Sequence, residues 1–369
     1  MRIVHVYKDY YPVLGGIENH VRSLAEGQAE RRHDVTVVVT SLTGHTQVET
    51  LNGVRVIKAA RLATVASTPL SVALPWRLRG VQADIAHLHF PYPVGEVSQW
   101  LVGRARRTVV TYHSDVVRQA GILRLYRPLM RAVLRRADRI IATSPNYAAT
   151  SPLLQENRDR VTVVPLGVDL ARFLQAYPDK AASLRQRYGT PLLLSMGRLR
   201  YYKGLNVLIG ALPRLPGVTL VVAGSGPMQG EWEALARRLG VGERVHFIGD
   251  VSDAEQPALY QAADVYVLPA THRSEAFGIA LVEALASGVP AVTTEVGTGT
   301  SYVNQDGVTG VIVPPGNPAA LADAIRDLLG DEARRKQMGQ AARARAVVEF
   351  GRTAMLERVL AVYEDVLTH

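Results

Sequence analysis

The chain contains no cysteine in 369 residues. That excludes a disulfide framework, a thiolate metal centre and a cysteine nucleophile, and it suits a reducing cytoplasm. Lysine is scarce as well. Only Lys8, Lys58, Lys180, Lys203 and Lys336 occur, so arginine carries nearly all the positive charge. Nowhere does an apolar run approach the roughly 18 to 20 residues that span a bilayer. Arg2-Ile-Val-His-Val-Tyr7 reads as a first strand and not as a secretory leader, because Lys8 and Asp9 follow at once. Several chemical motifs are missing too. No Asp-x-Asp pair is present to hold a divalent metal on a diphosphate, and Glu231-Trp-Glu233 reads as part of a helix surface. No Gly-x-Ser-x-Gly elbow supports a hydrolase triad, and no Walker-type phosphate loop occurs. Tyr11-Pro-Val-Leu-Gly-Gly-Ile-Glu18 is not Gly-x-Gly-x-x-Gly, so NAD binding is unsupported.

What remains is a soluble globular composition, 47% hydrophobic and 20% charged, long enough for two cores. The formal charge of +9 is unevenly placed. Up to Asp169 there are 22 Lys and Arg against 13 Asp and Glu; from Leu170 onward there are 20 against 20. An anionic partner for the first half follows: a membrane surface, a nucleic acid or a phosphorylated substrate. Short β-branched runs alternate with helical stretches in two series. The first has strands from Ile3–Val6 to Val161–Val164, and the second from Leu192–Ser195 to Val311–Val313. Such alternation predicts parallel sheets in two Rossmann-like domains. The expected boundaries are 1–170, 171–351 and a last helix over 352–369.

The stretch Glu275-Ala-Phe-Gly-Ile-Ala-Leu-Val-Glu283 stands out. It follows the strand Val265–Leu268 and opens a helix that stops at Gly288 and Pro290. In open α/β sheets ligands bind beyond the carboxyl ends of strands, and helix N-termini there attract phosphate. Two carboxylates at such a place can accept hydrogen bonds from the hydroxyls of a polyol. Ser195-Met-Gly-Arg-Leu-Arg-Tyr-Tyr-Lys-Gly204 closes another strand and offers Arg198 and Lys203, a suitable pair for a diphosphate. Gly15 and Gly16 follow the first strand and open a helix. His113, in Thr111-Tyr-His-Ser-Asp115, could bond a sugar hydroxyl, with Asp115 orienting an acceptor hydroxyl. Gly224, in Ala223-Gly-Ser-Gly-Pro227, brings backbone near a ligand. His5, His87 and His89 lie on or beside strands and read as structural, with no metal-ligand spacing. Arg118–Arg136 interleaves arginine with apolar residues, and Pro128 should kink it or start a second helix.

Glu-x7-Glu within E-A-F-G-I-A-L-V-E-A-L-A-S-G-V-P-A-V resembles the signature of the retaining glycosyltransferases of family 4, or group 1. Matching pieces run in order from Gly15 to Gly310. The resemblance implies a GT-B fold, two Rossmann-like domains with parallel sheets facing across a cleft. The last helix would pack back on the first domain. Glu275 would hold donor-sugar hydroxyls, with the amides of Ala276, Phe277 and Gly278 near sugar and phosphate. Glu283 would hold the ribose, and the Val251 backbone, in Gly249-Asp-Val-Ser-Asp253, the nucleobase. Arg198 and Lys203 match the family's pyrophosphate pair, and His113 the histidine facing the donor sugar. Gly297-Thr-Gly-Thr-Ser301 departs from the family's usual Gly-Gly-x-Pro-Glu spacing.

The reading is a retaining, metal-independent hexosyltransferase. It uses a GDP- or UDP-sugar as substrate, needs no cofactor, and serves surface polysaccharide synthesis of the mannosyl or rhamnosyl type. A lipid-linked glycan at an anionic membrane surface is the expected acceptor, and the enzyme is expected to be cytoplasmic and peripheral. Same-face attack and a covalent intermediate remain alternatives for retention. The rivals are a nucleotide-sugar epimerase, which needs no acceptor, and a basic nucleic-acid-binding protein, for which no recognised motif is present.

Overall fold

A computed structural model describes residues 1–13, 15–65, 68–115 and 120–369, with side chains from Tyr126 onward in the helix that begins at Ala120. The chain divides into two compact units, Met1–Gly167 with Arg352–His369, and Val168–Gly351.

The first unit contains β1 (Arg2–Val6), α1 (Gly16–Glu30), β2 (Asp34–Thr40), β3 (Gln47–Leu51), β4 (Val54–Ala59), β5 (Ala63–Val65) and β6 (Thr68–Leu70). These are followed by α2 (Ala73–Arg79), β7 (Gln82–Phe90), α3 (Pro93–Val102), β8 (Arg104–Tyr112) and α4 (Ala120–Arg136). The series ends with β9 (Arg139–Ala142), α5 (Pro145–Thr150), α6 (Pro152–Gln155) and β10 (Val161–Val163). Eight strands form one sheet in the order β10-β9-β8-β7-β1-β2-β4-β3. All pairs are parallel except β3 with β4. Such strands are covered on both faces, hence the near-continuous Val and Ile of β1 and β2.

In the second unit come α7 (Pro178–Tyr188), β11 (Leu192–Met196), α8 (Leu205–Ala211), β12 (Thr219–Ala223), α9 (Gln229–Arg238), β13 (Val245–Gly249) and α10 (Gln256–Ala262). Then follow β14 (Val265–Leu268), α11 (Ile279–Ala286), β15 (Ala291–Thr294), α12 (Thr300–Val303), β16 (Gly310–Val313), α13 (Pro318–Gly330) and α14 (Glu332–Phe350). Its six strands are all parallel, in the order β13-β12-β11-β14-β15-β16. Every residue of β12, β14 and β15 is buried.

The chain returns to the first unit as α15 (Arg352–Thr368). Met355, Leu356, Val359 and Tyr363 of α15 are buried with Ile3, Leu24, Ile85, Val109 and Ile141. No helix among the described residues is long and apolar enough to cross a membrane.

Strand order positions the site. In the first sheet the winding reverses between β1 and β7, and in the second between β11 and β14. Loops leave the carboxyl ends of such neighbours in opposite directions and open a crevice between them. Gly15, Gly16 and His113 follow β1 and β8, whereas Arg198, Lys203 and Glu275 follow β11 and β14.

Two of the elements absent from the sequence reading lack a long apolar run. β3 is a largely exposed edge strand without an apolar run. α14 is rich in Ala and Arg and buries a narrow face of mostly small residues, Met338, Gly339, Ala342, Ala346 and Phe350. Of the two expectations at Pro128, a second helix is overturned: α4 runs on through it as one helix. Arg118 and the side chain of Arg124 lie outside the described residues.

Candidate functional site

In the second unit, the loops after β11 and β14 meet. Lys203 Nζ lies 2.6 Å from Oε2 of Glu275. Both side chains are largely buried. Burial alone would lower the lysine's pKa, but the Glu275 carboxylate, helped by Tyr202 and Glu283, more than offsets this and raises it. The ammonium is therefore a permanent charge at neutral pH. Arg198 is exposed in the same loop, without a carboxylate partner among the described residues. Ser195, Gly197, Arg198 and Lys203 line a small cavity floored by Trp232.

Backbone shape keeps these loops tight. Gly224 follows β12 with φ +118°, and a Cβ there would stand 2.2 Å from the Gly197 carbonyl oxygen. Only glycine permits that approach of the two post-strand loops. The Gly224 amide in turn donates to the Gly249 carbonyl at 2.7 Å, and Ser225 Oγ donates to Asp250 at 2.8 Å. This places Val251 one residue beyond that link; its carbonyl accepts from Gln256.

Gly278, with φ +87°, is the N-cap of α11. A left-handed residue there turns the chain from the Glu275 loop into the helix. The Glu275 amide is used by the His272 carbonyl, and the Glu275 carbonyl accepts from Thr298 Oγ1 at 2.6 Å. Gly299 N donates to the Ala276 carbonyl at 2.8 Å. The Gly297 loop, unusual in its spacing, thus buttresses the Glu275 loop. Phe277 packs edge-on against Phe350 with ring centroids 5.8 Å apart. In the second turn of α11, Glu283 accepts from Tyr260 Oη at 2.8 Å. Burial pushes its pKa up to about 7, against the opposing pull of the Tyr260 hydrogen bond and the Arg172 charge.

In the first unit, Gly15 caps α1 and Gly16 begins it. Glu18, also buried, lies 3.7 Å from Lys8. Asp115 is held in place: its Oδ1 accepts from Tyr112 Oη and Ser151 Oγ, both at 2.8 Å, and its amide donates to Tyr147 Oη. His113 is 3% exposed and sits one residue past β8, its amide donating to the Phe90 carbonyl.

Around His113 the structure gathers His5, His87 and His89, which the sequence reading took singly, and His20, which it did not single out. His5, His20, His87, His89 and His113 are all buried and mutually packed. His5 pairs in register with His87 across β1 and β7, and His87 and His89, two apart on a strand, share one face. The alternation His87-Leu88-His89 was the available signal. Two triplets, His5/His87/His89 and His20/His89/His113, bring three ring nitrogens within 4.8 Å of one another. In the first, all six nitrogens already have hydrogen-bond partners. Burial lowers the pKa of His5 to about 4 and of His20 to about 3, and holds His87, His89 and His113 well below their ordinary range. All five rings are neutral at pH 7.

Charge follows the same division. The first unit holds 24 Lys and Arg against 15 Asp and Glu; the second holds 18 against 18.

Comparison with known proteins gives the family. Residues 178–345 match the model for glycosyl transferases group 1, and residues 14–172 the model for glycosyltransferase family 4. D-rhamnosyltransferase WbpZ of Pseudomonas aeruginosa is 40% identical over 349 residues, 94% of this chain and 91% of that protein. O-antigen chain mannosyltransferase C of Escherichia coli is 35% identical over 370 residues, 100% of this chain and 99% of that protein. Among solved structures, Anabaena HepE in complex with UDP-glucose superposes with a TM-score of 0.81 at 20% identity, covering 99% of this chain and 100% of that one. That likeness concerns the fold. With two parallel-sheet units of GT-B type, and with both family models matched in order along it, the chain belongs to the group 1, family 4 glycosyltransferases and is a hexosyltransferase.

Proposed function

We propose that this enzyme is a retaining, metal-independent transferase that moves a mannose- or rhamnose-type hexose from a GDP- or UDP-sugar to a hydroxyl of a lipid-linked surface glycan. The convergence of Lys203 and Glu275 at the β11/β14 switch point carries the reading. It sets a fixed positive charge beside a buried acceptor, as a sugar joined to a diphosphate requires. The names of the two relatives, a rhamnosyltransferase and an O-antigen mannosyltransferase, support the sugar class and the glycan.

In this reading Arg198 and Lys203 neutralise the diphosphate as it leaves, a task given elsewhere to a divalent metal. The amides of Ala276, Phe277 and Gly278 assist at the N-terminus of α11, and Gly15 and Gly16 at that of α1. Glu275 accepts from donor-sugar hydroxyls. Glu283 accepts from the ribose, and the backbone at Gly224 and Val251 receives the nucleoside. His113 accepts from a sugar hydroxyl, and Asp115 orients the acceptor hydroxyl. Retention follows from same-face attack, the leaving phosphate taking the acceptor's proton. Screening donor hydrolysis and transfer across nucleotide sugars, with and without EDTA, tests this. Turnover of a GDP- or UDP-hexose, undiminished by EDTA, is expected; metal-reversible loss would contradict metal independence.

The enzyme works, in the same reading, in the cytoplasm at the inner face of the membrane. The first unit carries the whole net charge of +9. It also exposes Val72 just before α2, Trp76 on α2 and Leu101 on the adjoining α3 by 70% or more, with Trp100 40% exposed and its indole 4.4 Å from the Arg136 guanidinium. Exposed Trp and Leu beside Arg77, Arg79 and Arg136 suit an anionic interface, where indoles sit at headgroup level. Arg131 of α4 is engaged with Glu156 at 2.6 and 2.8 Å, so the interface is assigned to α2, α3 and the Arg136 end of α4.

A further inference from the structure

A directional chain of hydrogen bonds leads from the interior of the first unit to His113. Gln28 of α1 donates through Nε2 to Tyr363 Oη at 3.3 Å, which leaves its Oε1 facing His5. His5 Nε2 is 2.7 Å from that oxygen, His5 Nδ1 is 3.0 Å from His89 Nε2, and His89 Nδ1 is 3.0 Å from His113 Nε2. His113 Nδ1 is buried and has no partner. Burial keeps every ring neutral, so each imidazole has one N–H and one bare nitrogen.

The amide oxygen of Gln28 can only accept, so His5 must carry its proton on Nε2. Its Nδ1 is then bare and must accept from His89 Nε2–H. His89 Nδ1 is bare in turn and must accept from His113 Nε2–H. One acceptor at the buried end thus determines the tautomer of the ring three links away. We propose that Gln28, His5 and His89 are positioning residues that hold His113 as the Nε2–H tautomer, presenting a bare Nδ1 as an obligate acceptor toward a donor-sugar hydroxyl. The role toward the sugar rests on the function proposed above; the tautomer does not. A bare nitrogen meets a hydroxyl and rejects a carboxylate, so this position selects a neutral hexose over a uronic acid. His20 stacks edge-on against His89 and His113, at 5.7 and 5.1 Å, but makes no link in the chain.

The test is long-range proton–nitrogen correlation on the full-length protein with ring-labelled histidine at pH 7.5, His113 and His89 being assigned through His113→Gln and His89→Gln. We expect a pyridine-type Nδ1 and a pyrrole-type Nε2 on His113. His20→Phe, outside the chain, retains this pattern. Gln28→Leu removes the anchor, mixes the tautomers of His113 and lowers kcat/KM about tenfold, the scale of one hydrogen bond. Purely structural packing would leave the tautomer of His113 unchanged in Gln28→Leu. That result, a pyrrole-type Nδ1 in the unaltered protein, or a stoichiometric metal ion on His20, His89 and His113 would overturn the proposal. The expected tautomer without transfer from any nucleotide sugar would leave the relay standing and refute the function instead.

Discussion

Lys203 Nζ and Glu275 Oε2, 72 residues apart in sequence, stand 2.6 Å apart at the β11/β14 switch point. The contact links a cation suited to phosphate with a carboxylate suited to sugar hydroxyls, so each holds the other in place. Glu275→Ala is expected to abolish transfer while the fold survives, as read by circular dichroism and by turnover of the folded variant. Near-normal turnover would remove Glu275 from the reaction. A double-mutant cycle with Lys203→Met and Glu275→Gln should show coupling beyond simple additivity, because the two groups touch.

Arg198 and Lys203 are predicted to bind the nucleoside diphosphate itself. Replacing either by alanine should weaken its binding by roughly 1.5 to 3 kcal/mol, the range for hydrogen bonds to charged groups. Calorimetry with GDP and UDP measures this directly. Unchanged affinity in both variants would refute the diphosphate role.

Glu283 gives a pH signature. Burial raises its pKa to about 7, so ionisation falls within the working range. A ribose hydroxyl donates better to the carboxylate than to the acid. Nucleotide affinity is therefore expected to rise as pH increases from 6 to 8, and Glu283→Gln should flatten that rise. Equal slopes in the two proteins would place the ribose elsewhere.

The histidine cluster has a consequence for stability. An unfolded histidine titrates near 6.5, whereas His5 and His20 are lowered to about 4 and about 3 in the fold. Below 6.5 the unfolded chain binds protons that the folded chain refuses. Stability is thus fully present above about pH 6.5 and is lost as pH falls toward those folded values, by about 1.4 kcal/mol per pH unit for each ring kept neutral. Denaturant unfolding at pH 7, 6 and 5 should show this decline, with a shallower slope in His20→Phe. A flat profile would mean that the rings become protonated in place.

Association with anionic vesicles should weaken with salt, since the basic residues act within a Debye length. Replacing Trp76, Trp100 and Leu101 by serine should reduce flotation more than Arg131→Glu does. No flotation at low salt would leave a soluble acceptor.

The fold class was legible in the sequence because parallel strands buried on both faces must be short apolar runs, and helices must separate them. Arg198, Lys203 and Glu275 were legible as candidates because each follows a strand beside a glycine, and Glu283 because it lies within the helix that Gly278 opens. What escaped were elements without such a signature, such as the exposed edge strand β3 and the Ala- and Arg-rich α14. Tertiary structure alone decided the rest. Strand order brings β11 beside β14, and with it Lys203 onto Glu275. It likewise sets β1, β7 and β8 side by side, which turns scattered histidines into one hydrogen-bonded chain. Periodicity along a strand reports which face a side chain takes, whereas its neighbour across the sheet depends on pairing between segments far apart in the chain.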